Sequence, residues 1–203
     1  MRRKEFEVKE KSLIEEVFRT ADIGYLAFHG LDGWPRITPV NFVYDGRILW
    51  HGAIAGERRD CLQKNPRATF SAVSLMGFLP SYLLSEENAT AATFTFKAAQ
   101  ARGRCRLIED PEEKCSVLNQ LMAKYQPEGK FRAISPEEPL YRKVLQATGV
   151  YALAVESLSG KFKFAQNKSE ADRQAIAARL KERGSPTDLM IAEEILKTLD
   201  FAK

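Results

Sequence analysis

Short apolar runs broken at regular intervals dominate the first half of the chain. Residues 24–28 (GYLAF), 35–44 (PRITPVNFVY) and 47–51 (RILWH) are rich in aromatic and β-branched side chains, and Asp32-Gly33 and Asp45-Gly46 separate them. Asp-Gly is a pair that hairpin turns select, because glycine accepts positive φ and aspartate bonds its own neighbouring backbone. The pattern predicts an antiparallel meander rather than β-α-β units. Residues 68–75 (ATFSAVSL) add a fourth strand. The tract 90–107 (TAATFTFKAAQARGRCRL) is long and β-prone, and Gly103 within it permits a bend, giving one bent strand or two in succession. Residues 150–157 (VYALAVES) read as a sixth or seventh strand, and 160–168 (GKFKFAQNK) as a short β-like run.

Helical periodicity fills the intervals. Ser12 and Glu15 have the spacing of a capping box, and Leu13, Ile14, Val17 and Phe18 then fall on one face. ERRDCLQK, from residue 57, predicts a short helix ending near Asn65-Pro66. Asp110-Pro111-Glu112-Glu113 and Ser135-Pro136-Glu137-Glu138 are both helix-start signals, the first running to about residue 125 and the second to about 147. Residues 75–88 contain Gly77 and Pro80 and predict an irregular loop or flap. Two further helices are expected over 169–183 and 185–199. The expected fold class is mainly β with added helices (α+β), a small antiparallel barrel of six or seven strands. The expected organisation is a barrel domain over 1–157, then a strand or loop and a helical hairpin over 158–203, packed on the barrel or on a partner subunit.

Composition changes this picture little. At 203 residues, 44% hydrophobic and 29% charged, the chain is an ordinary globular one, and its net charge of +4 suits an anionic small ligand. That charge is too small to argue for nucleic acid, which calls for a clustered basic face. The three cysteines lack metal-ligand spacing and read as reduced thiols. No apolar segment reaches the length of a signal peptide or a membrane span, so a cytoplasmic protein with no membrane association is expected. There is no G-x-G-x-x-G, Walker or G-x-S-x-G pattern and no metal-type cluster, and with two histidines a Ser-His-Asp triad is not expected.

The chemistry concentrates in residues 34–59. Gly56-Glu57-Arg58-Arg59 sits at a loop-to-helix junction, where free backbone N–H groups and the positive helix end favour an anion, and two guanidinium groups can add bidentate bonds to phosphate. Taken alone, a Gly-x-Arg-Arg run is more commonly a solvated helix start; convergence of Arg36, His51 and Arg58 from neighbouring elements argues for a ligand. His51 at a strand end reads as a ligand contact rather than a proton-transfer group, and His29 as a turn residue. Pro39 cannot donate to a β-ladder, so it marks either a protected sheet edge or a place where the backbone of residues 36–40 is free to read a ligand. Lys161 and Lys163 alternate with Phe162 and Phe164, the pattern of a half-buried strand.

The run PRITPVNFVYDGRILWHGAIAGERRDCLQKNPRATFSAV resembles the FMN-binding split-barrel family related to pyridoxamine 5′-phosphate oxidase, and within it the branch of nitroimidazole-resistance proteins. The carriers of the resemblance are Pro39-Val40, Asp45-Gly46, His51-Gly52-Ala53, Gly56-Glu57-Arg58 and Leu62 through Pro66; GRCRLIEDPEEK extends it, so that it covers about residues 5–157. It implies a split barrel, a homodimer, and flavin mononucleotide (FMN) bound at the subunit interface. The ring would lie along Arg36, Ile37, Thr38, Pro39, Val40 and Asn41. The phosphate would lie near His51, Gly56, Arg58 and Arg59, with Gly52 and Ala53 in the same loop. Arg58 replaces a common lysine, and Glu57 sets a negative charge beside it. KAAQAR over 97–102 lacks the Tyr-x-Ser-Val common on that strand. GKFKFAQNK is similar to an element of PaiB-like regulators, which implies that Gln166 and Asn167 approach the flavin from the partner chain. The implied activity is FMN-dependent oxidoreduction between a small-molecule electron donor and acceptor, with no catalytic acid or base assigned. The alternatives are a non-catalytic flavin-binding regulator and a haem-binding split-barrel protein.

Overall fold

The computed structural model describes residues 2–200. In chain order the strands and helices are β1 (Glu7–Val8), α1 (Lys11–Thr20), β2 (Gly24–His29), β3 (Pro35–Val40), β4 (Phe42–Tyr44), β5 (Arg47–Ala53), α2 (Glu57–Lys64), β6 (Arg67–Leu79), β7 (Thr93–Ile108), α3 (Pro111–Tyr125), α4 (Arg142–Ala147), β8 (Thr148–Lys163), α5 (Glu170–Arg183) and α6 (Pro186–Asp200). The eight strands form one antiparallel sheet in the order β3-β2-β6-β7-β8-β5-β4, with β1 added on β8. The α+β class expected from the residue pattern is the one observed.

Several boundaries differ from the pattern-based expectation. The run 35–44 is two strands, because Asn41 interrupts it: β3 pairs with β2, and β4 pairs with β5. α1 begins at Lys11, so Ser12 lies inside its first turn and donates to the Glu10 carboxylate at 2.7 Å rather than capping the helix. β6 extends to Leu79 and takes in the first part of the expected loop. β7 is one continuous strand. Gly103 serves close approach, since a Cβ there would sit 1.9 Å from the Ala154 carbonyl oxygen of β8. The helix expected from residue 136 begins only at Arg142. Pro139 disfavours helical geometry at Glu138 and cannot donate an N–H, so residues 135–141 form turns instead. The segments 150–157 and 160–163 belong to the single strand β8, and the chain then turns at Ala165 with φ 61°.

The chain forms two compact units. The first contains Phe18–Ala72 and Gln100–Leu158. Its core joins Phe18, Phe42 and Phe70, with Phe42 and Phe70 ring centroids 4.8 Å apart. Gly24 leaves space for that cluster, because a Cβ there would lie 2.0 Å from the Phe70 ring. On another face α3 buries Val117 and Leu121 against Val43, Leu49, Val150 and Ala152. Asp110 caps α3 by accepting from the Glu113 N–H at 2.7 Å, and Pro111 occupies its first turn, as the start signal predicts. The second unit contains the segment ending at Val17, Val73–Ala99 and the segment from Ser159. There α5 and α6 form a hairpin across Gly184 (φ 73°), burying Ile176, Ala177 and Leu180 with Ile191, Ala192 and Ile195.

Arg183 closes this hairpin on Asp188, which is 4% exposed; Nε donates at 2.7 Å and Nη2 bonds the other carboxylate oxygen. That guanidinium holds the Asp188 carboxyl at about 2, below the ordinary aspartate value. A depressed carboxylate stabilises the fold above the unfolded-state pKa and loses that contribution as pH falls through the folded value. Asp188→Asn should therefore cost about 1–3 kcal/mol at neutral pH, and its deficit relative to wild type should shrink as pH falls from about 4 toward 2, measured by urea unfolding across pH.

Candidate functional site

The site is built where the meander of the first unit comes apart. β3 and β4 are consecutive in the chain, yet they stand at the two ends of the strand order. One residue, Asn41, connects them, so within this unit the sheet must curl until its ends adjoin. β3 is an edge strand, as Pro39 signals, and the backbone groups on its far side have no strand partner among the described residues. Phe42, the first residue of β4, is bracketed by the end of α3. The Tyr125 hydroxyl accepts from the Phe42 N–H at 2.9 Å, and Lys124 Nζ donates to the carbonyls of Ala21 and Phe42 at 2.7 and 3.1 Å. Burial holds the Lys124 ammonium below its ordinary pKa, with Asp22 opposing.

β4 pairs with β5 only as far as Phe42 opposite Trp50. One step beyond on each chain stand Asn41 and His51. His51, Gly52 and Ala53 continue along β8 opposite Val150, Gly149 and Thr148. The facing glycines have a steric reason. A Cβ on Gly52 would lie 1.7 Å from Arg58 Nη2 and 3.0 Å from its Cζ, and one on Gly149 would lie 2.8 Å from the Tyr151 ring. The two glycines therefore form a slot for an arginine head and a tyrosine ring. Arg58 lies 5.7 Å from the centroid of that ring, whose hydroxyl donates to the Ala53 carbonyl at 2.9 Å, and whose inner side stacks on Trp50 at 5.6 Å.

Ile54 anchors the following loop by donating to the Ala147 carbonyl, and Gly56 (φ 113°) turns it into α2. Gly56 supplies no side-chain cap, so the first N–H groups of this helix lack the usual oxygen acceptor. Arg58 and Arg59 follow in the first turn. Successive helical residues point about 100° apart, and the two arginines diverge accordingly. Arg58 lies over Gly52, whereas Arg59 lines a separate groove of about 260 Å³ with Cys105, Arg106 and Tyr151. Burial pushes the Tyr151 hydroxyl up in pKa while both arginines pull it down.

Arg36 has a different role from the one its spacing suggests. Its Nε donates to Glu57 at 2.9 Å, its Nη2 lies 2.9 Å from Asp32 and 2.8 Å from Glu57, and its Nη1 reaches the Trp34 carbonyl. The guanidinium is committed to two carboxylates, and Asp32 is held below its ordinary pKa by it. This clamp ties the β2–β3 turn to the start of α2 and occupies the Glu57 carboxylate, the negative charge beside Arg58. The main chain of Arg36, Ile37, Thr38, Pro39 and Val40 stays on the edge strand.

The structure thus brings residues 36–41 and 51–59 into one neighbourhood of one unit. Gln166 and Asn167 belong to the other unit. Gln166 folds back on its own turn, accepting from the Phe164 N–H at 2.6 Å and donating to the Phe162 carbonyl at 2.9 Å. Asn167 lines a cavity of about 440 Å³ whose lining includes Arg3, Lys161, Lys163 and Lys168. Sequence reasoning missed Tyr151 and Gly149, about 100 residues from Gly52; only the β5–β8 register joins them. It also left Glu57 as an uncompensated charge, since nothing in the spacing reveals its bond to Arg36. Cys61, Cys105 and Cys115 are free and buried, and burial pushes the Cys105 thiol up to about 12.

The residues present suit the phosphate of a mononucleotide: an uncapped helix start, a guanidinium seated in a glycine slot, and a second guanidinium on the same turn. A family model described as pyridoxamine 5′-phosphate oxidase matches residues 10–162. The chain belongs to that family. Its antiparallel α+β architecture is the split-barrel fold of that family. Similar solved structures include the flavocytochrome Anf3 from Azotobacter vinelandii (21% identity, 82% of this chain and 74% of that one, TM-score 0.66). Another is a FAD and heme binding protein from Mycobacterium smegmatis (22%, 77% and 73%, 0.63). A third is a candidate 5-nitroimidazole antibiotic resistance protein from Bacteroides thetaiotaomicron (22%, 76% and 85%, 0.62). At these identities the likeness is one of fold. Among proteins of curated function none matches the chain. No helix among the described residues is long and apolar enough to cross a membrane.

His51 reports on this electrostatic arrangement. Partial burial, and then the Arg58 guanidinium, disfavour its protonated form and lower its pKa. Followed by NMR of its ring protons, His51 should titrate below an ordinary histidine, and Arg58→Ala should bring it only part of the way back because burial remains. An unshifted His51, or one unmoved by the substitution, would break the link between the two side chains.

Proposed function

We propose that this protein is an FMN-binding flavoprotein acting as an oxidoreductase on small molecules. The observation that carries the reading is the seat of Arg58 over Gly52 at the uncapped start of α2, in a chain of the pyridoxamine 5′-phosphate oxidase family. Arg58, His51 and the first N–H groups of α2 hold the phosphate, with Gly52, Ala53 and Gly56 leaving room for it, and Arg59 joins them by swinging out of the groove it lines with Cys105 and Arg106. The open backbone of the β3 edge, from Arg36 to Asn41, reads the polar edge of the ring. Pro39 offers an acceptor and no donor there, which restricts how the ring can register. When bound, FMN supplies the electron transfer between donor and acceptor.

The protein's own work is then positioning and charge control. Arg36 draws the Glu57 carboxylate toward Asp32's side of the turn, so that α2 presents a positive start. Neutral His51 offers one ring N–H without adding charge. Tyr151 fixes the loop through Ala53 and keeps the Arg58 guanidinium near its ring. The reading includes a homodimer, with Gln166 and Asn167 contributed from the partner. The exposed apolar surface of β2, β3 and their turn supports that: Tyr25 is 49% exposed, Ile37 70% and Trp34 72%.

Titration of purified protein with FMN, followed by quenching of flavin fluorescence, tests the assignment. The Arg58→Ala, Arg59→Ala double variant should lose about 3 kcal/mol or more of binding, over a hundredfold in Kd, by removing two charge-assisted contacts. Arg36→Ala should weaken FMN although it makes no phosphate contact, and Glu57→Gln in that background should restore affinity. Equal affinity in wild type and the double variant would end the phosphate assignment. A haem reading draws on the neutral His51 and on the two similar structures named for haem or cytochrome; a Soret band on haem addition with no FMN uptake would favour it.

A further inference from the structure

The cavity of about 440 Å³ in the second unit gathers positive charge. Arg2, Arg3, Lys161, Lys163 and Lys168 line it, and among the described residues no carboxylate does. The fold brings them together. Alternate residues of a strand point to opposite faces, so Lys161 and Lys163 of β8 share the cavity side while Phe162 between them is buried. Lys161 and Arg3 are exposed, and Lys163 and Lys168 are half-buried, so the cluster is open to a solute. The nearest negative charges are few. Glu5 lies 3.8 Å from Arg3, and Glu7 stands opposite Lys161 in the β1–β8 register. Counting both, five cations face two carboxylates. The Lys163 ammonium bonds only the Thr93 hydroxyl; burial first, and then Lys161 and Arg3, push its pKa down.

Cations gathered around one hollow repel each other, and an anion among them offsets that cost. The surroundings narrow the class. A monocarboxylate would leave most of the excess charge in place, whereas a phosphate monoester brings nearly two negative charges and three acceptor oxygens. Lysine binds phosphate as a point charge and arginine as a planar fork, and both are present. Pro80, Leu84 and Phe96, each half-buried, give the cavity an apolar side, and Lys161 Nζ lies 5.5 Å from the Phe96 ring centroid. The volume is that of a small-molecule pocket rather than of an extended nucleic-acid face. We propose that this cavity binds a small organic phosphate monoester, its phosphate among Arg3, Lys161, Lys163 and Lys168 and its apolar body against Pro80, Leu84 and Phe96. Arg58 and the start of α2 belong to the other unit, so the flavin assignment and this one are tested apart.

The test uses the full chain and calorimetry at about pH 8, where a phosphate monoester is a dianion, with phenyl phosphate, benzoate, a single-stranded oligonucleotide and FMN as separate probes. Phenyl phosphate should bind saturably, at least about tenfold more tightly than benzoate, and should still bind with FMN already present. Lys161→Gln with Lys163→Gln should weaken phenyl phosphate by about a hundredfold or more and leave FMN affinity unchanged. Arg3→Glu, a change at an exposed position, should weaken it about tenfold; it decides the matter if the double variant does not fold. Absence of saturable phenyl phosphate binding in wild type, benzoate binding as tight, or binding unchanged in the folded variants would overturn the proposal. Displacement of phenyl phosphate by the oligonucleotide or by FMN, or FMN affinity lost with the two lysines, would assign the cavity to another ligand and overturn it equally.

Discussion

Two consecutive strands that occupy opposite ends of one sheet impose the constraint on which the site depends. β3 and β4 are separated by Asn41 alone, so within their unit the sheet must bend until its ends adjoin, and the junction leaves backbone exposed on both sides. The fold offsets that loss on the inner side with polar groups from α3: Tyr125 and Lys124 satisfy the amide and carbonyl of Phe42. On the outer side β3 keeps an open edge, protected by Pro39. Antiparallel sheets commonly hide or blunt such edges; here the open edge is tied by Arg36 to Glu57 at the start of α2, next to Arg58. In the proposed reading, the place where the sheet fails to pair is where the planar ring of the flavin finds donors and acceptors.

Charge is arranged around that opening with similar economy. The start of α2 carries both signs, Glu57 beside Arg58 and Arg59, and a negative residue there would oppose an anionic ligand directly. Arg36 reaches across from β3 and engages Glu57 together with Asp32. The clamp is surface-exposed and adds little stability. Its effect is on the direction of the field at the helix start. Arg58 is then kept in place by shape, since Gly52 and Gly149 form a space that a methyl group would fill.

The elements set by local chemistry were legible in the residues. Asp32-Gly33 and Asp45-Gly46 announced hairpin turns, and both glycines have positive φ, 85° and 98°. Asp110-Pro111 announced α3, and Pro39 announced an edge. What was not legible depends on partners far away in sequence. Ser135-Pro136-Glu137-Glu138 looks like a helix start, but Pro139 and the bonds between Asn119 and Ile134 hold that segment in turns. Gly103 looks like a bend and is a contact point for β8. Arg36 has the side chain of a phosphate ligand and is bound by carboxylates 4 residues before and 21 residues after it. Tyr151 carried no signal, because its meaning comes from standing opposite Trp50.

The central claim is that the helix start and its arginines hold the phosphate of FMN. The ³¹P resonance of FMN bound to the wild-type protein tests it most directly. A free phosphate monoester gains its second proton near pH 6. Held by Arg58, Arg59 and the amides of α2, the phosphate should remain a dianion, with a shifted resonance that does not move between about pH 7 and pH 5. A bound flavin whose phosphate resonance titrates as it does free in solution would contradict the account.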